Sequence, residues 1–174
     1  INFFENFKAN AWRYEKVQNN MTDPIFLIGF PRSGTTLLDT ILRTNDSVEV
    51  IEEKPILKNF LIKLEKKTNN KLSALDQLEN DYIKDMQLFY FNEREQYQKN
   101  KKAKIVIDKL PLNIIHIGEI LRFFPNAKFI FALRHPYDSV LSCFMQQFEL
   151  NPAMKNFLKI ESSAYLYNLV MKLW

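Results

Sequence analysis

The sequence predicts an α/β fold: a parallel sheet covered by helices on both faces, with a helical insertion after its second strand. Three observations predict it. Four short apolar runs recur along the chain, at Ile25–Gly29, Val48–Ile51, Lys104–Asp108 and Lys128–Leu133. They have the length and continuity of strands buried on both faces, as parallel strands are. Helix-like stretches separate them, and such alternation implies a parallel sheet. The first run also passes through a Gly/Pro/Ser turn straight into an amphipathic stretch.

Residues 3 to 17 carry Phe3, Phe4, Phe7 and Trp12 at roughly helical spacing. They read as a helix packing on the main body. Asn19 to Pro24 is a breaker cluster, and the Ile25–Gly29 strand follows it. Thr35 to Arg43 is helical, with Leu37, Leu38, Ile41 and Leu42 apolar. Val48 to Ile51 is the second strand. Pro55 to Lys66 and Ala74 to Lys99 read as helices joined by the polar link Lys67–Asn70, and together they form the insertion. Lys104–Asp108 is the third strand, and Leu112 to Phe124 a helix closed by Pro125 and Asn126. Lys128–Leu133 is the fourth strand. Pro136 to Phe148 is a helix with proline in its first turn, and Pro152 to Trp174 is helical to the end.

The chain of 174 residues suits a single domain, with its motifs between residues 24 and 148. Apolar residues make up 47% and charged residues 25%, which excludes disorder of the whole chain. The net charge of +4 fits a polyanionic ligand. The basic residues lie partly in solvated runs such as Lys99–Lys104 and not along one recognition helix, so nucleic acid is not the expected partner. With Cys143 alone, no intrachain disulfide forms. The expected location is therefore cytoplasmic, with a lumenal place for an anchored parent as the alternative. Cys143 reads as a small buried hydrophobe. No stretch is long and apolar enough to span a bilayer. The chain opens on Ile1 and not on Met, and it is expected to be a fragment or a processed product.

Gly29-Phe30-Pro31-Arg32-Ser33-Gly34-Thr35-Thr36 follows a strand and opens a helix. Its glycine spacing is that of the phosphate loop G-x-x-x-x-G-K-[ST], except that Thr35 stands in place of the lysine. Gly34 lets the backbone approach a ligand, the free amides of the first helical turn point at it, and the helix dipole favours an anion. The lysine that contacts the terminal phosphates of a triphosphate is absent, and Arg32 supplies a charge inside the loop instead. A charge-assisted hydrogen bond from it contributes on the order of 1.5–3 kcal/mol. The loop suits an anion less charged at its transferred end than ATP, as a sulfuryl group is.

Here the sequence resembles the sulfotransferases that use 3′-phosphoadenosine 5′-phosphosulfate (PAPS). The nearest branch holds the protein-tyrosine sulfotransferases and the bacterial sulfotransferases with tetratricopeptide repeats. The resemblance implies a P-loop-type three-layer fold, and a 5′-phosphosulfate loop at Arg32, Ser33, Gly34, Thr35 and Thr36. It also covers the strand, turn and helix from Lys128 to Ser142. Arg134 leaves the strand's carboxyl end and Ser142 lies one to two turns into the next helix. Both are within reach of one phosphate at the edge where open α/β sheets bind ligands. In the resembled family this arginine and serine hold the 3′-phosphate. Read alone, Arg134 is a salt-bridge partner for Asp138 and Ser142 a helix-packing residue.

Sulfuryl transfer needs a base for the acceptor proton and a cationic donor for the leaving oxygen. By resemblance these are Glu53 and Lys109. The gapless match from Arg32 falls on Glu53, with Glu52 beside it; without the resemblance this is an acidic turn. Lys109 matches the family lysine that donates to the bridging oxygen. A counter-reading takes Ile105–Asp108 as a Walker B strand whose Asp108 holds Mg²⁺ in a phosphate-loop kinase or nucleotidase. The missing loop lysine weighs against it. A third reading is a non-catalytic binding remnant. With one cysteine and only His116 and His135, no metal site is expected. PAP is the expected product. The acceptor is open among a peptide tyrosine, a glycan and a small metabolite, and homodimerisation is open too. The chain ends before the region in which the family completes the adenine pocket, so a truncated donor site is expected.

Overall fold

The computed structural model describes residues 23–149 and 151–174. The helix expected over residues 3 to 17 lies outside them. Four parallel strands form one sheet: β1 (Ile25–Gly29), β2 (Val48–Glu52), β3 (Ile105–Lys109) and β4 (Lys128–Ala132), in the order β2-β3-β1-β4. Among the described residues six α-helices accompany them: α1 (Thr35–Leu42), α2 (Ile56–Thr68), α3 (Asn80–Tyr97), α4 (Ile117–Phe123), α5 (Pro136–Phe144) and α6 (Ile160–Leu173). The α/β sheet and the helical insertion, α2 and α3 between β2 and β3, are as expected.

Period-two alternation sorts the strand side chains. Leu27, Val50 and Ile107 face one side, where Leu38 and Leu42 of α1 pack on them. Phe26, Ile28 and Ile51 face the other side and join the larger core. There the insertion contributes Phe60, Tyr90 and Phe91, and α4 with its exit contributes Phe123 and Phe124. Phe60 meets Phe123 edge-on at 4.9 Å between ring centroids, and Tyr90 meets Phe124 at 5.0 Å. Tilted and edge-on rings at this spacing add to the burial energy.

Several helix bounds differ from expectation. The stretch expected as one helix from Ala74 to Lys99 is a 3₁₀ turn, Leu72–Gln77, an extended break at Leu78, and then α3. Buried Arg122 causes the break. Its guanidinium donates to the carbonyls of Leu75 and Leu78 at 2.8 and 3.3 Å, which holds the end of the 3₁₀ turn and the extended Leu78 in place. A 3₁₀ turn, Pro111–His116, also precedes α4. The last region divides into a 3₁₀ turn, Met154–Leu158, and α6. Asn151 starts that turn, its Oδ1 accepting from the amides of Ala153 and Met154.

The strand order positions the site. From β1 the chain moves toward β2, on the side of β3, whereas from β3 it crosses to β4 on the opposite side of β1. The carboxyl end of β1 is thus the point where connections diverge, the usual ligand crevice of an open sheet.

Candidate active site

The loop after β1 sits at that point. Gly34 takes φ 97° as the N-cap of α1, and no side chain caps the helix. Its first-turn amides are free of intrahelical partners, as at any helix start. Arg32 also has a left-handed backbone, φ 66°. The loop lies close on the strand ends. A Cβ at Gly29 would come within 2.6 Å of Ser33 Oγ and 2.8 Å of the Ala132 carbonyl, so only glycine fits there.

Other elements hold the loop from outside. The Cys143 thiol donates to the Pro31 carbonyl at 3.2 Å. Burial raises that thiol to about 12, against a smaller lowering by Arg32, so it is a buttress and not a nucleophile. Arg134 Nη1 donates to the Arg32 carbonyl at 3.1 Å, and its Nε lies 3.7 Å from Asp138. Arg32 Nε donates to Ser142 Oγ at 3.1 Å.

Two adjoining cavities result. One, of about 400 Å³, has Arg32, Gly34, Thr35, Thr36, Glu53 and Arg134 in its wall, with Leu110, Phe148 and Met154 on the apolar part. The other, of about 280 Å³, is bounded by Arg32, Arg134, Asp138 and Ser142 among others. Arg32 and Arg134 stand between them and border both. Of the expected ligand-binding residues, Arg32, Gly34, Thr35, Thr36 and Arg134 border the first cavity and Ser142 the second. Ser33 is buried beneath the loop against Gly29, its hydroxyl without a protein partner.

Glu53 and Lys109 come together at the carboxyl ends of β2 and β3. Glu53 Oε1 lies 3.8 Å from Lys109 Nζ. Glu53 borders the larger cavity, whereas Lys109 is wholly buried behind it. The lysine's nearest partner is Glu52 Oε1 at 2.6 Å, with Asp39 Oδ2 at 3.7 Å. Asp39, on α1, also takes a two-pronged bond from Arg43. Asp39 is not among the residues expected in the site; its one visible signal in the sequence is Arg43 four residues on, the spacing of a helical ion pair.

The magnesium reading requires Asp108 to face the loop. It faces the other side. Its side chain is 1% exposed in the large core and accepts from the Tyr90 hydroxyl at 3.1 Å. Burial raises it to about 7, although the Tyr90 bond and the Arg94 charge pull it down. Asp108 and Lys109 are neighbours on a strand, so their side chains leave on opposite faces. Among the described residues no group of three or more His, Cys, Asp and Glu is arranged to hold a metal ion, and no helix is long and apolar enough to cross a membrane.

A protein of Aquifex aeolicus (strain VF5), described as an uncharacterized protein, is 33% identical over an alignment of 136 residues that covers 72% of this chain. The chain spans only 17% of that relative's length. The crystal structure of sulfotransferase STF9 from Mycobacterium avium aligns at a TM-score of 0.46 and 14% identity, over 89% of this chain and 54% of that one. Residues 24–173 match the model of the sulfotransferase family, from the first strand through the last helix. On that match, which covers most of its length, the chain belongs to the sulfotransferase family.

Proposed function

We propose that the chain binds PAPS across the two adjoining cavities and that its parent protein transfers the sulfuryl group to an acceptor hydroxyl or amine. The observation that carries this is the placement of Arg32 and Arg134 between a cavity at the glycine loop and a cavity at Ser142. A ligand with one anionic end would use one cavity. A donor with a 5′-phosphosulfate and a 3′-phosphate uses both.

In this reading the loop amides, Arg32, Thr35 and Thr36 hold the phosphosulfate, and Arg134 with Ser142 holds the 3′-phosphate. Glu53, on the cavity wall, takes the proton as the acceptor oxygen or nitrogen attacks sulfur. The bond from sulfur to the phosphate oxygen breaks in line with that attack, and Lys109 donates to the departing oxygen. PAP leaves as the product. The acceptor is a peptide tyrosine, a glycan or a small metabolite.

Calorimetric titration with PAP and with ATP, each with and without magnesium, tests the reading. PAP binding that ignores magnesium and exceeds ATP binding supports it. Preference for magnesium-ATP over PAP contradicts it.

A further inference from the structure

We propose that Glu52 is a positioning residue for Lys109 and the counter-ion that the incoming donor displaces. This deepens the donor reading above and rests on it.

Lys109 Nζ is wholly buried among three carboxylates, at 2.6 Å from Glu52, 3.7 Å from Asp39 and 3.8 Å from Glu53. A buried ammonium is tolerated only when paired, and the sheet register supplies the pair. Glu52 and Lys109 are Cα partners on adjacent parallel strands, with side chains on the same face. Glu53, one residue further, has φ 50°. That turn sends the two neighbouring glutamates apart, Glu52 to the lysine and Glu53 to the cavity.

The carboxylates differ in how firmly they are held. Asp39 is 3% exposed, sits within α1 and is clamped by both prongs of Arg43. It has no route away. Glu52 has a side chain 48% exposed, one hydrogen bond to the lysine and a loose contact of 3.8 Å with Arg43. Of the three it alone combines a path into water with a single hydrogen bond, and its departure from the buried ammonium is offset only when a donor oxygen takes its place.

The cluster holds two cations, Lys109 and Arg43, against three carboxylates. An anionic donor at the glycine loop adds negative charge to a group that is already in excess of it. Among the described residues, the one hydrogen bond that the Lys109 ammonium makes is to Glu52, and Glu52 holds the side of the ammonium from which a carboxylate can leave into water. On donor binding the ammonium turns that bond to a donor oxygen, and Glu52 rotates into solvent. The proton stays on the lysine throughout, so one ion pair replaces another. Asp39 stays behind as the fixed wall of the site.

The test uses Glu52→Gln in the whole chain. Without nucleotide, proton exchange from the Lys109 ammonium, read by NMR on ¹⁵N-lysine-labelled protein, accelerates at least about tenfold in Glu52→Gln, because its charge-assisted hydrogen bond is lost. Glu52→Gln also removes the donor's competitor, so PAP binds about three- to tenfold tighter by calorimetry. Damage to the fold alone does not tighten binding. In a Lys109→Met background that gain disappears. If Lys109→Met does not fold, the ammonium exchange rate decides on its own. Unchanged exchange, unchanged or weaker PAP binding in Glu52→Gln, or an equal gain with Lys109→Met overturns the proposal. Failure of the wild-type chain to bind PAP overturns the donor reading instead, and the exchange rates still report whether Glu52 holds Lys109.

Discussion

The backbone N–H of Glu53 donates to the carbonyl of Lys109 at 2.7 Å. The proposed base and the proposed leaving-group donor are therefore joined through main chain as well as by the 3.8 Å approach of their side chains. The price is a left-handed backbone at Glu53, φ 50°, which an L-residue other than Asn or Asp rarely adopts.

That geometry separates stability from activity at one position. Glu53→Gly relieves the left-handed strain and stabilises the chain by about 1 kcal/mol. Glu53→Gln keeps the shape and removes the proposed base, which lowers turnover in the proposed sulfuryl transfer about 10²–10⁴-fold. Urea denaturation of the glycine variant and steady-state kinetics of the glutamine variant check the two effects. A glycine variant less stable than wild type contradicts the strain argument.

Gly29 is predicted to tolerate no side chain. A Cβ there meets Ser33 Oγ and the Ala132 carbonyl below 3 Å. Gly29→Ala forces the loop off the strand ends, destabilises the chain by about 1–3 kcal/mol and weakens PAP binding at least about tenfold. Denaturation and calorimetry on the same samples measure both. A variant that keeps PAP affinity shows that loop placement against β4 is not required.

Asp108 gives the fold a pH dependence of unusual sign. Its folded value is raised to about 7 from an ordinary 3.8. The folded state therefore holds the proton more tightly than the unfolded state. Its stabilising contribution is complete below about 4 and is lost as pH rises through about 7. Asp108→Asn mimics the protonated side chain, so its stability relative to wild type increases from pH 4 and levels off above about pH 8. Denaturation midpoints of both proteins at matched pH values test this. A difference that does not vary with pH contradicts it.

The sheet was legible because each strand is a short apolar run bounded by turn residues, and the loop because its glycines are spaced as a phosphate loop requires. Helix bounds were less legible where a distant residue sets them. No glycine or proline marks the break at Leu78; the guanidinium of Arg122 makes it by taking two carbonyls. In the candidate site, glycine spacing placed Arg32 in the loop and resemblance placed Arg134 at a strand end, and both border the two cavities. The pairing of Lys109 with Glu52 was not, because it depends on the register between β2 and β3, which sequence spacing does not reveal.

The Arg122 contacts yield their own prediction. Arg122→Leu keeps the bulk but leaves the Leu75 and Leu78 carbonyls without these donors, a loss of about 1–3 kcal/mol. Hydrogen exchange rises first in the Leu72–Gln77 turn and the start of α3. Protection unchanged in that segment removes Arg122 as the cause of the break.

The most direct measurement compares PAP with adenosine 5′-monophosphate, which lacks the 3′-phosphate, on wild type and on Arg134→Met. A donor held at both ends predicts that wild type prefers PAP by at least about tenfold, and that Arg134→Met erases most of the preference. Equal binding of the two nucleotides by wild type, or a preference that survives Arg134→Met, contradicts a two-ended donor site.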